Sequence, residues 1–250
     1  MLARHAAADG ALPVVMLQHA VESQMVEFVA ENFQRFAPDV LSRLQQRTEN
    51  APPQHNVSHA LEFERKAHGE WLIGRVQAAL AGSDGDESKV LVAVRELFHQ
   101  RLGWDRKFTD EIIQAAGGTS AGMIAYTKEV IPAYDVMRNM AAASPENLVA
   151  DAERTIMLIQ QNSNLLVRAM TLNVCRARSR ELETLARLAM LQAGVAYKKN
   201  GPAGLKTVRD PFGDGPFEMC PVDRGLELRS KLIQFGLNGS LVFVEKDVSH

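Results

Sequence analysis

The sequence predicts a mainly α protein: an irregular helical bundle or array that ends in a small antiparallel β-sheet packed on the last long helix. Three observations predict it. Apolar residues recur at steps of three and four up to Asn200. Those periodic runs are separated by short clusters of Pro, Gly, Asp and Ser. Beyond Asn200 the pattern changes to alternation with frequent Gly and Pro, which is strand and turn chemistry.

Taken in order, Val14, Leu17, Val21, Met25, Phe28, Val29 and Phe33 step along one expected apolar face of a helix from Leu12 to Phe36, with Pro13 suited to its first turn. Pro38 opens a shorter helix through Leu44, and the paired prolines of ENAPPQHN break it, leaving a helix hairpin. Asn56 or Ser58 can cap a helix to about Leu80 with Leu61, Phe63, Trp71, Leu72 and Val76 available for burial. AGSDGDES is a linker. Val90, Val94, Leu97 and Phe98 then mark another helix, Thr109 to Ala116 a short one, and GGTSAG an interruption before a helix to about Ala142 that Pro132 should kink. Ser144 followed by Pro145 is a strong start signal.

From Pro145 to Asn200 only QQNSN (160–164) is polar enough to break the run, so helices are expected over Pro145–Gln161 and Leu165–Lys199. The second carries an apolar stripe of Leu182, Leu185, Leu188, Ala189 and Leu191, with Arg176, Arg178, Arg180, Glu181, Glu183 and Arg187 as its expected solvated face. Ala193, Gly194 and Ala196 would let another element approach closely. Strands are expected at Phe217–Val222, Gly225–Leu232 and Ser240–Glu245, a sheet too small to stand without packing on a helix. The resulting partition is a helical domain over 1–164 and a long helix plus β module over 165–250, or one continuous domain.

Composition narrows function mostly by exclusion. Lys plus Arg (28) nearly balances Asp plus Glu (30), and aromatic residues make up 6%, so neither a basic footprint nor a stacking platform for nucleic acid is present. The early apolar run Leu12–Leu17 is far short of the ~20 residues that span a bilayer. A basic region followed by an apolar one is missing at the N-terminus, which leaves the compartment unassigned and a removed leader conceivable. Cys175 and Cys220 are too few for a disulfide framework, and whether they pair is open.

The long helix, its Tyr197-containing end, the glycine-rich connection, DPFGDGPF and the strand pair resemble the C-terminal half of bacterial pseudopilins over about residues 182–239. With the preceding helices, the whole chain is similar to uncharacterised bacterial helical envelope proteins carrying such a module. The resemblance implies a cell-envelope or periplasmic protein acting through protein partners. Two departures matter: the apolar N-terminal assembly helix of a pilin is missing, and Asn238 stands where major pseudopilins have calcium-binding carboxylates. Asp210 and Asp214 read as turn formers, with Asp223 nearby, so no calcium or other cofactor is expected.

Two motifs invite chemistry. GTSAG (118–122) matches the nucleophile elbow and resembles the serine motif of patatin-like lipases, but the elbow needs a strand ahead of Ser120, and TDEIIQAAGG reads as helix. The glycines more simply end one helix while Thr119 or Ser120 caps the next. His55, His59, Glu62, Glu64 and His68 are spaced like metal ligands, yet His55 precedes the helix, and Glu62 and Glu64 point about 200° apart around it. Met123, Met137, Met140, Met157 and Met170 read as core. No catalytic, cofactor-binding or metal-ligating residue is therefore assigned. The expected function is non-enzymatic, secretion- or envelope-associated and exercised through protein contacts. The alternative is a hydrolase or small-ligand protein with a pocket between helices.

Overall fold

Pro13, Pro38 and Pro145 open helices, short polar residues cap three others, and glycine ends some, as the punctuation of the chain predicts. The computed structural model describes residues 3–4, 7, 10–83, 86–169, 174–223, 225–234 and 237–244. Its helices are α1 (Leu12–Glu31), α2 (Pro38–Glu49), α3 (Val57–Glu64), α4 (Trp71–Ala81), α5 (Glu87–Leu102) and α6 (Arg106–Ala115). They continue with α7 (Ser120–Lys128), α8 (Val130–Ala141), α9 (Pro145–Gln160), α10 (Leu165–Ala169) and α11 (Val174–Leu205). Strands β1 (Glu218–Val222), β2 (Gly225–Gln234) and β3 (Leu237–Val244) form one antiparallel sheet in that order. The protein is mainly α with a small C-terminal sheet packed on the last long helix, Phe243 of β3 resting against Gly194 of α11.

Three local differences from expectation have physical causes. The helix expected to kink at Pro132 is instead two helices meeting at Glu129. A proline ring clashes with the carbonyl four residues back, here Lys128, the last residue of α7. Between α3 and α4 a π-turn (Arg65–Glu70) widens the helix. There Gly69 packs so closely on α8 that an added Cβ would lie 2.8 Å from Ile131 Cδ1. Near the end of α11, Gly201 leaves helical geometry (φ 60°, ψ −151°), and Pro202 starts a final turn to Leu205. The expected break at 160–164 is present. The run expected to continue from Leu165 is divided into α10 and α11, with residues 170–173 outside the described residues.

The chain forms two compact units drawn from non-contiguous segments, 1–57 with 143–149 and 175–250, and 58–142 with 150–174. The 1–164 and 165–250 partition follows chain order, whereas these units interleave it.

In the second unit, helix ends are held by side chains. Asp86 accepts from the Ser88 and Lys89 amides, Asp105 from Phe108, and Thr119 from Gly122. Its core includes Phe98, Ile112, Met123 and Leu166, all fully buried. Phe98, Trp104 and Phe108 stack edge to face at 5.3 and 5.4 Å.

In the first unit, Phe243 projects between two elements. Its ring meets Phe33 edge to face at 4.8 Å, and a Cβ on Gly194 would lie 2.5 Å from it. Glycine at 194 is thus what lets the sheet seat on α11, the close approach expected from the small residues there. Lys198 donates to the carbonyls of Phe33 (2.9 Å) and Phe36 (3.0 Å), tying the end of the 3-10 turn Phe33–Arg35 to α11.

Candidate functional site

The motifs that invited chemistry come first. Ser120 lies at the start of α7 behind left-handed Gly117 and Gly118, in a helix–turn–helix context with no preceding strand. Its amide (2.7 Å) and hydroxyl (2.8 Å) both donate to the Glu87 carboxylate. That arrangement ties two helix starts together. The elbow's requirements are otherwise unmet: Ser120 follows a helix and turn where the motif needs a strand, and it is 4% exposed.

The histidine–carboxylate run is dispersed. Glu64 is buried and paired with His68 Nδ1 at 2.5 Å. Glu62 faces elsewhere, pairing with Arg65, Lys66 and Arg138 at 3.0, 3.2 and 2.7 Å. The hydrogen bonds from Arg65, then Lys66, hold its carboxyl down to about 2. Among the described residues no group of three His, Cys, Asp or Glu is placed to hold a metal ion. Met123, Met137 and Met140 are buried as expected, whereas Met157 is 54% exposed and Met170 lies outside the described residues. No disulfide joins Cys175 to Cys220.

Two surfaces of the first unit remain. One is an open groove of about 830 Å³ along α11. Leu182, Leu185, Leu188 and Ala189 form its floor, Pro145 and Glu146 one wall, and Pro211–Asp214 the other. The second wall is built by Asp210, buried at 3% exposure. Its carboxylate accepts from the Phe212 amide (3.0 Å), the Ser230 hydroxyl (2.7 Å) and the Lys231 amide (2.6 Å). The Lys231 amide is available because the β2–β3 register breaks between Arg229 and Ile233. Asp210 is therefore a turn former, as expected, and also a brace from the DPFGDG turn to the bulge in β2. Asn238's side chain and residues 235–236 lie outside the described residues.

The other surface is α1, and here the expected burial is inverted. The buried face carries Leu12, Val15, Gln18, His19, Glu22, Val26, Val29 and Ala30. Leu17 (58%), Val21 (44%), Met25 (36%) and Phe28 (60%) are exposed. Of the expected stripe only Val29 and Phe33 are buried.

The inversion follows from what α1 packs against. On α11, Glu181, Glu183 and Thr184 are buried, against the expected solvated face, of which Arg176 and Arg180 are exposed. Glu181 accepts from the Val57 amide (3.1 Å) and pairs with Arg178 (2.7 Å); Arg187 bridges Glu183 and Glu27. The Thr184 hydroxyl donates to the His19 carbonyl at 3.3 Å. Glu22 is held by Arg4 and Gln54. The face of α1 that carries Gln18, His19 and Glu22 is buried with this layer, and the second apolar stripe lies outside. It is incompletely satisfied: among the described residues neither side-chain polar atom of Gln18 makes a hydrogen bond, and the His19 ring has no well-aligned partner, although the His55 backbone faces it. Burial pushes the His19 imidazole below its ordinary range, against the pull of Glu181, Glu22 and the His55 backbone, with Arg178 adding to the depression.

No described helix is long and apolar enough to cross a membrane. Comparison with known protein families, curated proteins and solved structures finds no match for this chain.

Proposed function

We propose that the protein is a non-enzymatic binding protein that works through protein contacts, with the exposed apolar stripe of α1 as its docking face. One observation carries the reading: four large apolar side chains, Leu17, Val21, Met25 and Phe28, are exposed along three turns of one helix. Contiguous exposed apolar surface of this kind marks interaction sites in soluble proteins. The helix is also a poor fit to a lipid surface. Interfacial helices carry Lys and Arg on the polar face, whereas Leu12–Glu31 has neither and has Glu22, Glu27 and Glu31. A place in the cell envelope or in secretion rests on the likeness of residues 182–239 to pseudopilins, and secretion genes beside this one would support it.

The test is a benzophenone amino acid at position 21, photo-activated in producing cells. A discrete protein adduct is expected; labelling of lipid alone, or of nothing, would overturn the reading. A second reading, small-ligand binding, is favoured by the groove on α11, where an apolar floor lies beside Arg178. It predicts that the apolar anion anilinonaphthalene sulfonate binds with a fluorescence increase that Leu185→Glu abolishes.

A further inference from the structure

We infer that the occupant of the α1 stripe is a second copy of this chain, meeting it through an antiparallel α1–α1 pair about a two-fold axis. This rests on the reading of α1 as a protein-binding face and names the partner.

The spacing is the first support. Val14, Leu17, Val21, Gln24, Phe28 and Glu31 step alternately by three and four, the seam of a shallow, roughly 20° helix crossing. Val14 is half-buried and the other five are on the exposed or open side of the helix. Centred between Val21 and Gln24, the spacing is symmetric about a two-fold axis. Leu17 then faces the partner's Phe28, Ala20 its Met25, Val21 its Gln24 and Val14 its Glu31, so the Leu17–Phe28 and Ala20–Met25 pairs supply the apolar contact.

Charge is the second support. Glu31 ends α1, where the helix dipole disfavours an anion, and the last turn has no basic residue; Glu27, one turn earlier, is already paired with Arg187. The first turn has no acidic residue, and Ala11 ahead of it has no capping side chain. Each helix alone has Glu31 at the wrong end. An antiparallel pair brings Glu31 of one copy beside the helix N-terminus of the other and corrects both ends at once. A parallel pair would stack the acids together.

The seam spans about 26 Å, 17 residues at 1.5 Å each. A contact of this length falls below the standard interface size, so association on the order of 10 µM or weaker is expected.

Sedimentation velocity of the full chain from about 1 to 500 µM tests it. The expected result is a weight-average mass rising from 27.6 kDa towards twice that value. Val21→Glu and Phe28→Glu should each weaken dimerisation at least about tenfold with unchanged circular dichroism and thermal midpoint. Glu31→Lys should weaken it several-fold. A chain monomeric at every concentration, or a dimer indifferent to both apolar-to-Glu variants, would overturn the proposal. A monomer that still photo-crosslinks to a different protein through position 21 overturns self-pairing and leaves the binding reading standing; a monomer with no adduct removes both.

Discussion

Asp210 braces the DPFGDG turn, and its removal should loosen the groove wall and the sheet together. Its carboxylate is 3% exposed and accepts from two backbone amides, Phe212 and Lys231, and from the Ser230 hydroxyl. In Asp210→Ala the hydroxyl can turn, since it already accepts from the Leu232 amide at 3.1 Å, but the two amides lose their partner. A hydrogen bond to a charged group contributes about 1.5–3 kcal/mol, so the loss of two should be about 3–6 kcal/mol. Asp210→Asn keeps one oxygen. Because Phe212 and Lys231 donate to different oxygens, one amide must face an NH₂ group, and about half of that loss is expected. With a urea slope of about 2–3 kcal/mol/M, the alanine variant should shift the midpoint down by about 1–3 M. Hydrogen exchange gives the local readout: the Lys231 amide should lose protection in both variants. An alanine variant within about 0.5 kcal/mol of the parent, with Lys231 protection intact, would refute the brace.

Gly194→Ala puts a methyl group into the Phe243 ring, which Phe33 prevents from retreating, so a loss of about 1–3 kcal/mol in chemical unfolding is expected. Phe243→Leu in the same chain should recover part of it. His19 is held below its ordinary value of 6.5, so the unfolded chain takes up the proton first as pH falls. Stability should drop below pH about 6.5, by at most about 1.4 kcal/mol per pH unit, and level off once the folded imidazole is protonated. His19→Gln should remove that slope in thermal unfolding at stepped pH. Glu62, held down to about 2, favours the folded state above its ordinary value of 4.5, and that contribution fades between the two. Glu62→Gln should flatten the acid limb of the same curve. Ser120→Ala should cost about 1 kcal/mol in unfolding experiments and leave any esterase activity of the purified chain at its parent level.

Much of the fold was legible because its boundaries are set by residues that act locally. Pro38, Pro145 and Thr119 each start a helix by a constraint on one dihedral angle or one orphan amide. Gly194 was legible for a similar reason, since a small residue in a long apolar helix signals close approach whatever approaches. The π-turn at 65–70 was not, because nothing in RKAHGE forbids an ordinary helix. Gly69 there packs against Ile131 and Tyr134, more than sixty residues away. The bracing role of Asp210 was half legible. DPFG is turn chemistry on sight, but its acceptors are used by a bulge in β2 that no alternation pattern reveals.

Periodicity failed on α1 for a reason that bears on function. The helix has two apolar stripes, Leu12, Val15, Val26, Val29 and Ala30 on one side and Leu17, Val21, Met25 and Phe28 on the other. A 3.6-residue period accommodates either, and merging Val29 and Phe33 with the second stripe produced one face that does not exist. Glu181 and Glu183 on α11 find their partners in Arg178, Arg180, Arg187 and the Val57 amide, and α1 reaches this layer through the His19 carbonyl, which accepts from Thr184. Burying the face that bears Gln18 leaves its side-chain amide unbonded among the described residues, at about 1–3 kcal/mol for an unsatisfied group. Keeping an apolar ridge outside and a polar layer inside is what a helix would show if its outer face were also under a binding constraint. Gln18→Leu separates the two demands: it should stabilise the fold while leaving the outer ridge, and whatever binds there, unchanged.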